Sequence, residues 1–163
     1  VHLPTPRGVQ RIDVRSARQM LDAVQAQVDK ASVFVATAAV ADWRPDTQAD
    51  QKIKKDGSGQ TPALKFVENP DILATVAQST LARSGALFCV GFAAESHDLL
   101  AHATAKRVRK GVPLLVGNIG PATFGQDDNA LLLVDDAGAR ELPHASKQAL
   151  AEQLIADIAR RLK

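Results

Sequence analysis

Two groups of cations carry the clearest chemical signal in the chain. Lys52-Ile53-Lys54-Lys55 alternates, which on a strand places Lys52 and Lys54 on one face. Lys106, Arg107, Arg109 and Lys110 form the second group, and the four-residue spacing of Lys106 and Lys110 projects both from one side of a helix. Each group has an ordinary explanation. A charged edge strand resists edge-to-edge pairing, and cations favour the carboxyl end of a helix. Anion chemistry explains both together, because a triphosphate calls for several cations drawn from separate segments. Asn69-Pro70-Asp71 adds a helix start with free N–H groups, another anion site, with simple capping by Asn69 as the alternative. Asp42 closes an apolar run and could hold a magnesium ion or a ribose hydroxyl. The small residues Ala36-Thr37-Ala38-Ala39 let a ligand ring approach the backbone, and Phe92 could stack on a base or fill the core.

Other chemistries lack their residues. No G-x-G-x-x-G follows a strand pattern and no G-x-x-x-x-G-K-[ST] occurs, which argues against a nicotinamide-binding domain and a P-loop enzyme. His2, His97, His102 and His144 are scattered. The pair His97/His102 is spaced i,i+5 instead of the i,i+4 of a helical metal pair, so the histidines read as surface residues. Cys89 lies within an apolar strand pattern and reads as a buried structural thiol. As the single cysteine it excludes an internal disulfide framework.

Composition narrows the class further. A chain of 163 residues with 45% hydrophobic and 23% charged residues suits one domain with a buried core. Its 20 basic and 18 acidic residues nearly balance, so bulk charge implies no nucleic-acid surface. Aromatics at 4%, with no Tyr, disfavour a base-stacking platform for single strands. No apolar run is long enough for a membrane span. A secretory signal is also missing, which makes a reducing cytoplasm the default. The chain opens Val1-His2-Leu3-Pro4 and its only methionine is Met20, so it reads as a domain cut from a longer polypeptide.

The elements that must position these residues alternate between two periods. Val9–Val14 alternates apolar and polar, as in a strand with one buried face. Ser16 to Gln19 has a capping-box pattern, and Met20, Leu21, Val24 and Val28 follow at helical spacing. Ser32–Ala39 reads as a strand buried on both faces. Asn69 as N-cap and Pro70 at the first helical position begin a helix through Ile72, Leu73 and Val76. Ala86–Phe92 and Leu114–Val116 read as buried strands, and between them Leu99–Lys110 reads as a helix closed by Gly111. Ala130–Val134, a turn at Asp136-Ala137-Gly138 and a return strand Arg140–Leu142 follow. Ser146 opens a final helix through Leu150, Leu154, Ile158 and Leu162. This order predicts an α/β fold: a Rossmann-like parallel sheet with helices on both faces, in three layers. A small β excursion interrupts it around 46–67, with short strands near Lys52–Lys55 and Leu64–Val67. Such sheets bind ligands beyond the carboxyl ends of their strands, here the loops Ala38–Arg44, Gly91–Ser96 and Gly117–Gly125.

Six motifs in this order carry a family resemblance. They are Ala38-Ala39-Val40-Ala41-Asp42-Trp43, Lys52-Ile53-Lys54-Lys55, Asn69-Pro70-Asp71-Ile72, Val90-Gly91-Phe92-Ala93-Ala94-Glu95, Lys106-Arg107-Val108-Arg109-Lys110 and Asp128-Asn129-Ala130. Spread over Leu3 to Leu162, they resemble the phosphopantothenate–cysteine ligase family, the synthetase half of a bacterial bifunctional flavoprotein of coenzyme A biosynthesis. The resemblance implies a two-step reaction: CTP activates 4′-phosphopantothenate as an acyl-cytidylate, and the amino group of cysteine then displaces CMP. It implies CTP contacts from Ala36, Thr37, Ala38, Asp42, Lys52, Pro70, Asp71, Ile72, Leu73, Phe92, Lys106 and Lys110, with Lys52 as the catalytic residue and Mg2+ accompanying the nucleotide. It further implies a homodimer joined through the excursion, with no nucleic-acid or membrane partner. FMN and higher assembly belong, by the same resemblance, to an amino-terminal decarboxylase domain.

The chain also departs from the family. The family domain begins with a strand–helix–strand unit bearing a glycine-containing nucleotide loop and an asparagine used in cysteine coupling, and Val1 falls just after it. Trp43 replaces the usual Phe or Tyr, and Gly117-Asn118 replaces a more common Ala-Asn pair. The alternative expectation is therefore a non-catalytic fragment that binds nucleotide and dimerises.

Overall fold

Apolar runs with period two on both faces can only be buried between layers, and 88–93 and 114–117 form the centre of one sheet. The computed structural model describes every residue except Val1, His2, Gln48, Asp50, Lys55, Asp56, Ser58, Gln60, Pro62, Phe124 and Lys163. In chain order its elements are α1 (Ala17–Val28), β1 (Val33–Ala36), β2 (Trp43–Pro45), β3 (Phe66–Glu68), α2 (Ile72–Ala77), α3 (Thr80–Arg83) and β4 (Phe88–Glu95). There follow α4 (Leu99–Lys110), β5 (Leu114–Ile119), α5 (Gly120–Thr123), β6 (Asp128–Asp135), β7 (Gly138–Ser146) and α6 (Lys147–Arg161).

The main sheet has five strands in the order β1-β4-β5-β6-β7. β1, β4 and β5 are parallel, whereas β6 and β7 run antiparallel to their neighbours. The α/β class and the helices on both faces agree with the sequence reading, but the sheet is mixed. The chain reverses twice: residues 120–127 between β5 and β6 are too few for the crossover that parallel neighbours need, and the turn at Asp136-Ala137-Gly138 joins β6 to β7. Residue parity sorts the core. Cys89, Ala93 and Leu115 face Val76, Leu87, Ala103 and Val112 beneath α1, α2 and α4. Val90, Leu114, Val116 and Leu133 face Leu150, Leu154 and Ile158 of α6.

Several local expectations fail for non-local reasons. Val9–Val14 forms no strand; its alternation survives only in that Ile12 and Val14 line a groove with Met20, Val24 and Phe34. β1 is shorter than the apolar run and only half-buried, because it stands at the edge of the sheet. The excursion pairs β2 with β3, and Lys52–Lys54 is exposed and outside any strand. A common strand face for Lys52 and Lys54 is therefore not formed, and Lys55 lies outside the described residues. β4 starts and ends later than expected, and Leu162 is the exposed C-cap that follows α6 rather than part of its buried stripe. Among the described residues no helix is long and apolar enough to cross a membrane.

The carboxyl end of α6 is fixed by charge. Asp157 is buried on α6, and its Oδ1 lies 2.6 Å from Arg140 on β7 and 2.9 Å from Arg160. Its Oδ2 accepts from Arg161 Nε at 2.6 Å, and Arg161 also reaches Asp135 at 2.7 Å. Burial pushes the Asp157 carboxyl up, but the hydrogen bonds of Arg161 and Arg160 and the charges of Arg161 and Arg140 outweigh it and hold the group below the ordinary carboxylate range. A depressed folded-state pKa contributes stability above the unfolded value, lost as pH falls through the folded one. Asp157→Asn is thus expected to cost about 1–3 kcal/mol at pH 7. The cost should shrink below about pH 4, which urea titrations of both proteins at pH 7 and pH 3 will check.

Candidate functional site

Lys52 and Lys54 stay outside the site, and of the second cation group Lys106 alone lines it. A cavity of about 280 Å³ opens at the carboxyl end of β1. Ala36, Thr37 and Ala38, Asp71, Ile72 and Leu73, Phe92, and Lys106 all line it. These residues come from β1 and its following loop, the start of α2, β4 and α4. Because β1 is an edge strand, the cavity wraps around its end and takes residues from both faces of the sheet. Met20, Val24, Phe34 and Val40 complete an apolar wall, which helical spacing, a strand pattern and a loop in the sequence do not by themselves mark as part of a site. A second cavity of about 590 Å³ meets the first at Val35, Thr37 and Phe92 and continues along α6 past Asn118 and Lys147.

Close backbone approach sets this geometry. A Cβ added at Gly91 would lie 2.7 Å from Leu73 Cδ2 and 2.8 Å from Leu115 Cδ1. Glycine there lets Leu73 settle on β4 and brings the start of α2 to the strand ends. Gly117 admits Leu99 in the same way, at 2.8 Å, and seats the start of α4. At its other end α4 stops at Gly111, whose φ of +67° is the left-handed closure the sequence called for.

The cap of α2 is Asp71, and not Asn69. Asp71 Oδ1 accepts from Ala74 N at 2.9 Å. Asn69 is occupied elsewhere: its Nδ2 donates to Ala41 O at 2.8 Å and its N–H to Asp42 O at 2.7 Å. The guanidinium of Arg44 donates to Asn69 Oδ1 at 3.3 Å and to the carbonyl of Glu68. Asn69 thus ties the Ala41–Asp42 turn to the start of α2, with Pro70 between tie and cap. Asp42 is exposed, is held through its backbone carbonyl, and does not line the cavity. Lys52 is exposed in the excursion and does not line the cavity.

Both lysines of α4 stand against carboxylates. Lys110 pairs with Asp71. Burial raises the Asp71 carboxyl, but the hydrogen bonds from Lys110 and the Ala74 amide, with the charges of Lys110 and Arg109, more than offset this and hold it below the ordinary carboxylate range. Lys106 Nζ lies 3.9 Å from Glu95 Oε1, and His102 Nδ1 lies 3.6 Å from Glu95 Oε2. His97 and His102 are exposed, as expected, but not scattered: their rings meet edge to face at 5.1 Å. Asp98, at φ +46°, turns the chain sharply between them. Cys89 is 1% exposed, and burial pushes its thiol up to about 11, in keeping with a structural role. Among the described residues no group of three or more His, Cys, Asp or Glu could hold a metal ion. Magnesium arriving with a triphosphate would be held chiefly by phosphate oxygens and water.

Comparison with known proteins places the chain in context. The family model described as DFP, the DNA/pantothenate metabolism flavoprotein C-terminal domain, matches residues 1–162. The chain is 46% identical over 158 residues to the coenzyme A biosynthesis bifunctional protein CoaBC of Vibrio cholerae, covering 95% of this chain and 39% of that protein. To the protein of the same name in Escherichia coli K12 it is 41% identical over 165 residues, covering 99% and 40%. It therefore spans about two-fifths of the length of these relatives. A crystal structure of the C-terminal domain of coenzyme A biosynthesis bifunctional protein CoaBC superposes with a TM-score of 0.77 at 26% identity, covering 99% of this chain and 70% of that one.

Proposed function

Because the chain belongs to the DNA/pantothenate metabolism flavoprotein C-terminal domain family, we propose that it is a ligase domain of coenzyme A biosynthesis that joins 4′-phosphopantothenate to cysteine at the expense of CTP. The observation that carries this reading is the single cavity that gathers a small-residue strand end, an aromatic ring, a helix start and a lysine. Those features suit, in turn, a nucleoside, its base and its phosphates. In this reading residues 1–163 act as one domain.

In the first step a carboxylate oxygen of 4′-phosphopantothenate attacks the α-phosphorus of CTP. The bond from that phosphorus to the bridging oxygen breaks and pyrophosphate leaves, giving the acyl-cytidylate. In the second step the amine of cysteine attacks the acyl carbon, loses a proton and expels CMP. Ala36, Thr37 and Ala38 would line the nucleoside and Phe92 would lie against its base. Pro70, Asp71, Ile72 and Leu73 would form the phosphate-side wall. Lys106 and Lys110 would balance the triphosphate, whose charge grows at the α-phosphorus in the transition state. Asp42 would bind CTP directly or through magnesium that enters with it. Lys52 would reach the site from the excursion. A homodimer through that excursion accounts for the exposed Trp43 and Phe66 of its two-stranded sheet. The flavin of the family's name belongs, in this reading, with a decarboxylase domain.

The exposed position of Lys52, outside the cavity, favours one competing reading: nucleotide binding and dimerisation without chemistry. Pyrophosphate release separates the two. Release that requires both CTP and 4′-phosphopantothenate, followed by CMP release on adding cysteine, supports the ligase. Nucleotide binding with no release supports the competitor. Lys52→Gln is expected to lower release by about 100-fold with an unchanged circular dichroism spectrum. Unchanged release would remove Lys52 from the mechanism.

A further inference from the structure

Glu95 has no place in the scheme so far, although it stands beside one of the scheme's cations. It is the last residue of β4. Strand parity puts it with Cys89, Gly91 and Ala93 on the face that α4 covers. Its side chain is 23% exposed, under the first turns of α4. His102 and Lys106 are four residues apart on that helix, so one carboxylate spans a helical turn, Oε2 toward His102 and Oε1 toward Lys106. At 3.9 Å the Glu95–Lys106 contact is too long for a hydrogen bond. The ammonium keeps its donors for another acceptor, with the carboxylate's charge beside it.

Resting on the nucleotide reading of the cavity, we propose that Glu95 is a positioning residue: it holds the Lys106 ammonium at the cavity wall, ready for the triphosphate of the bound nucleotide. A free lysine stem loses rotamer entropy when a ligand fixes it, and a neighbour that orders it beforehand reduces that loss. A carboxylate at this place also repels phosphate, so the sign of its removal distinguishes the two effects. If positioning dominates, neutralising Glu95 weakens binding of the triphosphate. If repulsion dominates, it tightens binding.

Calorimetric titration of the full chain with CTP and magnesium, and separately with CMP, tests this in the unmutated protein and in Glu95→Gln, Glu95→Asp, Lys106→Gln and the double variant Glu95→Gln/Lys106→Gln. Glu95→Gln is expected to weaken CTP about fivefold and leave CMP unchanged. Glu95→Asp should recover most of the loss. In the Lys106→Gln background, Glu95→Gln should add nothing, because its effect passes through Lys106. The proposal is overturned if Glu95→Gln leaves CTP affinity unchanged or raises it. It is likewise overturned if CMP and CTP weaken equally, or if the loss persists without Lys106. If Lys106→Gln weakens CTP and Glu95→Gln does not, the role of Glu95 fails and the nucleotide reading stands. If the unmutated chain binds no CTP, the nucleotide reading fails and this proposal falls with it.

Discussion

Lys106→Gln will weaken binding of CTP with magnesium by about 10- to 100-fold and leave the fold intact. The size follows from the chemistry of the contact. A charge-assisted hydrogen bond to phosphate contributes about 1.5–3 kcal/mol, and each 1.4 kcal/mol is about tenfold in affinity. Lys106 lines the cavity from the middle of α4, with a side chain 28% exposed, so solvent screens it only in part. Its removal strands no fully buried partner, since the Glu95 side chain is itself 23% exposed. Stability should therefore change little while affinity falls. Raising salt should narrow the gap between the two proteins, as screening reduces the contribution that glutamine lacks. A loss of thermal stability as large as the loss of affinity would instead make Lys106 a structural residue.

Gly91→Val will damage fold and site together. The first added carbon would come within 2.7 Å of Leu73 and 2.8 Å of Leu115. Both contacts are ends of leucine side chains, which ordinarily yield, but Leu115 is fully buried and Leu73 is wedged between β4 and the cavity. The two further methyl groups of valine leave no relaxed arrangement. Overpacking of this kind costs about 3 kcal/mol, or a fall of about 6–12 °C in melting temperature for a chain of this size. Because Leu73 lines the cavity, the displaced side chain should also weaken nucleotide binding. Scanning calorimetry with and without CTP will check both parts. A melting temperature within a degree of the parent would contradict the packing of α2 onto β4 described above.

The parts of this molecule that were legible in its sequence are those fixed by neighbours along the chain. α4 follows from its apolar spacing and from Gly111. α6 follows from Ser146, whose Oγ caps Ala149 N at 3.2 Å. α1 follows from Ser16, capping Gln19 N at 3.2 Å. The hairpin of β6 and β7 follows from its turn residues. What depends on distant partners was not legible. Val9–Val14 has the alternation of a strand but no strand beside it, and β1 reads as central because nothing local marks a sheet edge. Asn69 and Asp71 are both good caps, and the choice between them is made by Ala41 and Asp42, nearly thirty residues away, which occupy the asparagine.

The candidate site divides in the same manner. Ala36 to Ala38, Asp71 to Leu73, Phe92 and Lys106 meet because parallel strands end on one side, a rule that topology supplies without knowing any contact. The pairing of Glu95 with His102 and Lys106 was not legible, because neither spacing nor residue type announces a carboxylate beneath a helix. The strand's parity and the turn at Asp98 bring them together. Lys52 shows the opposite case: its alternation with Lys54 suggests a strand, yet the excursion pairs 43–45 with 66–68 and leaves the lysines outside.

The most direct test of the central claim is a crystal structure of the chain with CTP and magnesium. We expect the cytidine to lie against Thr37 and Phe92, with the triphosphate running toward Lys106 and the start of α2. A nucleotide seated elsewhere, such as along α6 in the neighbouring cavity past Asn118 and Lys147, would contradict the account.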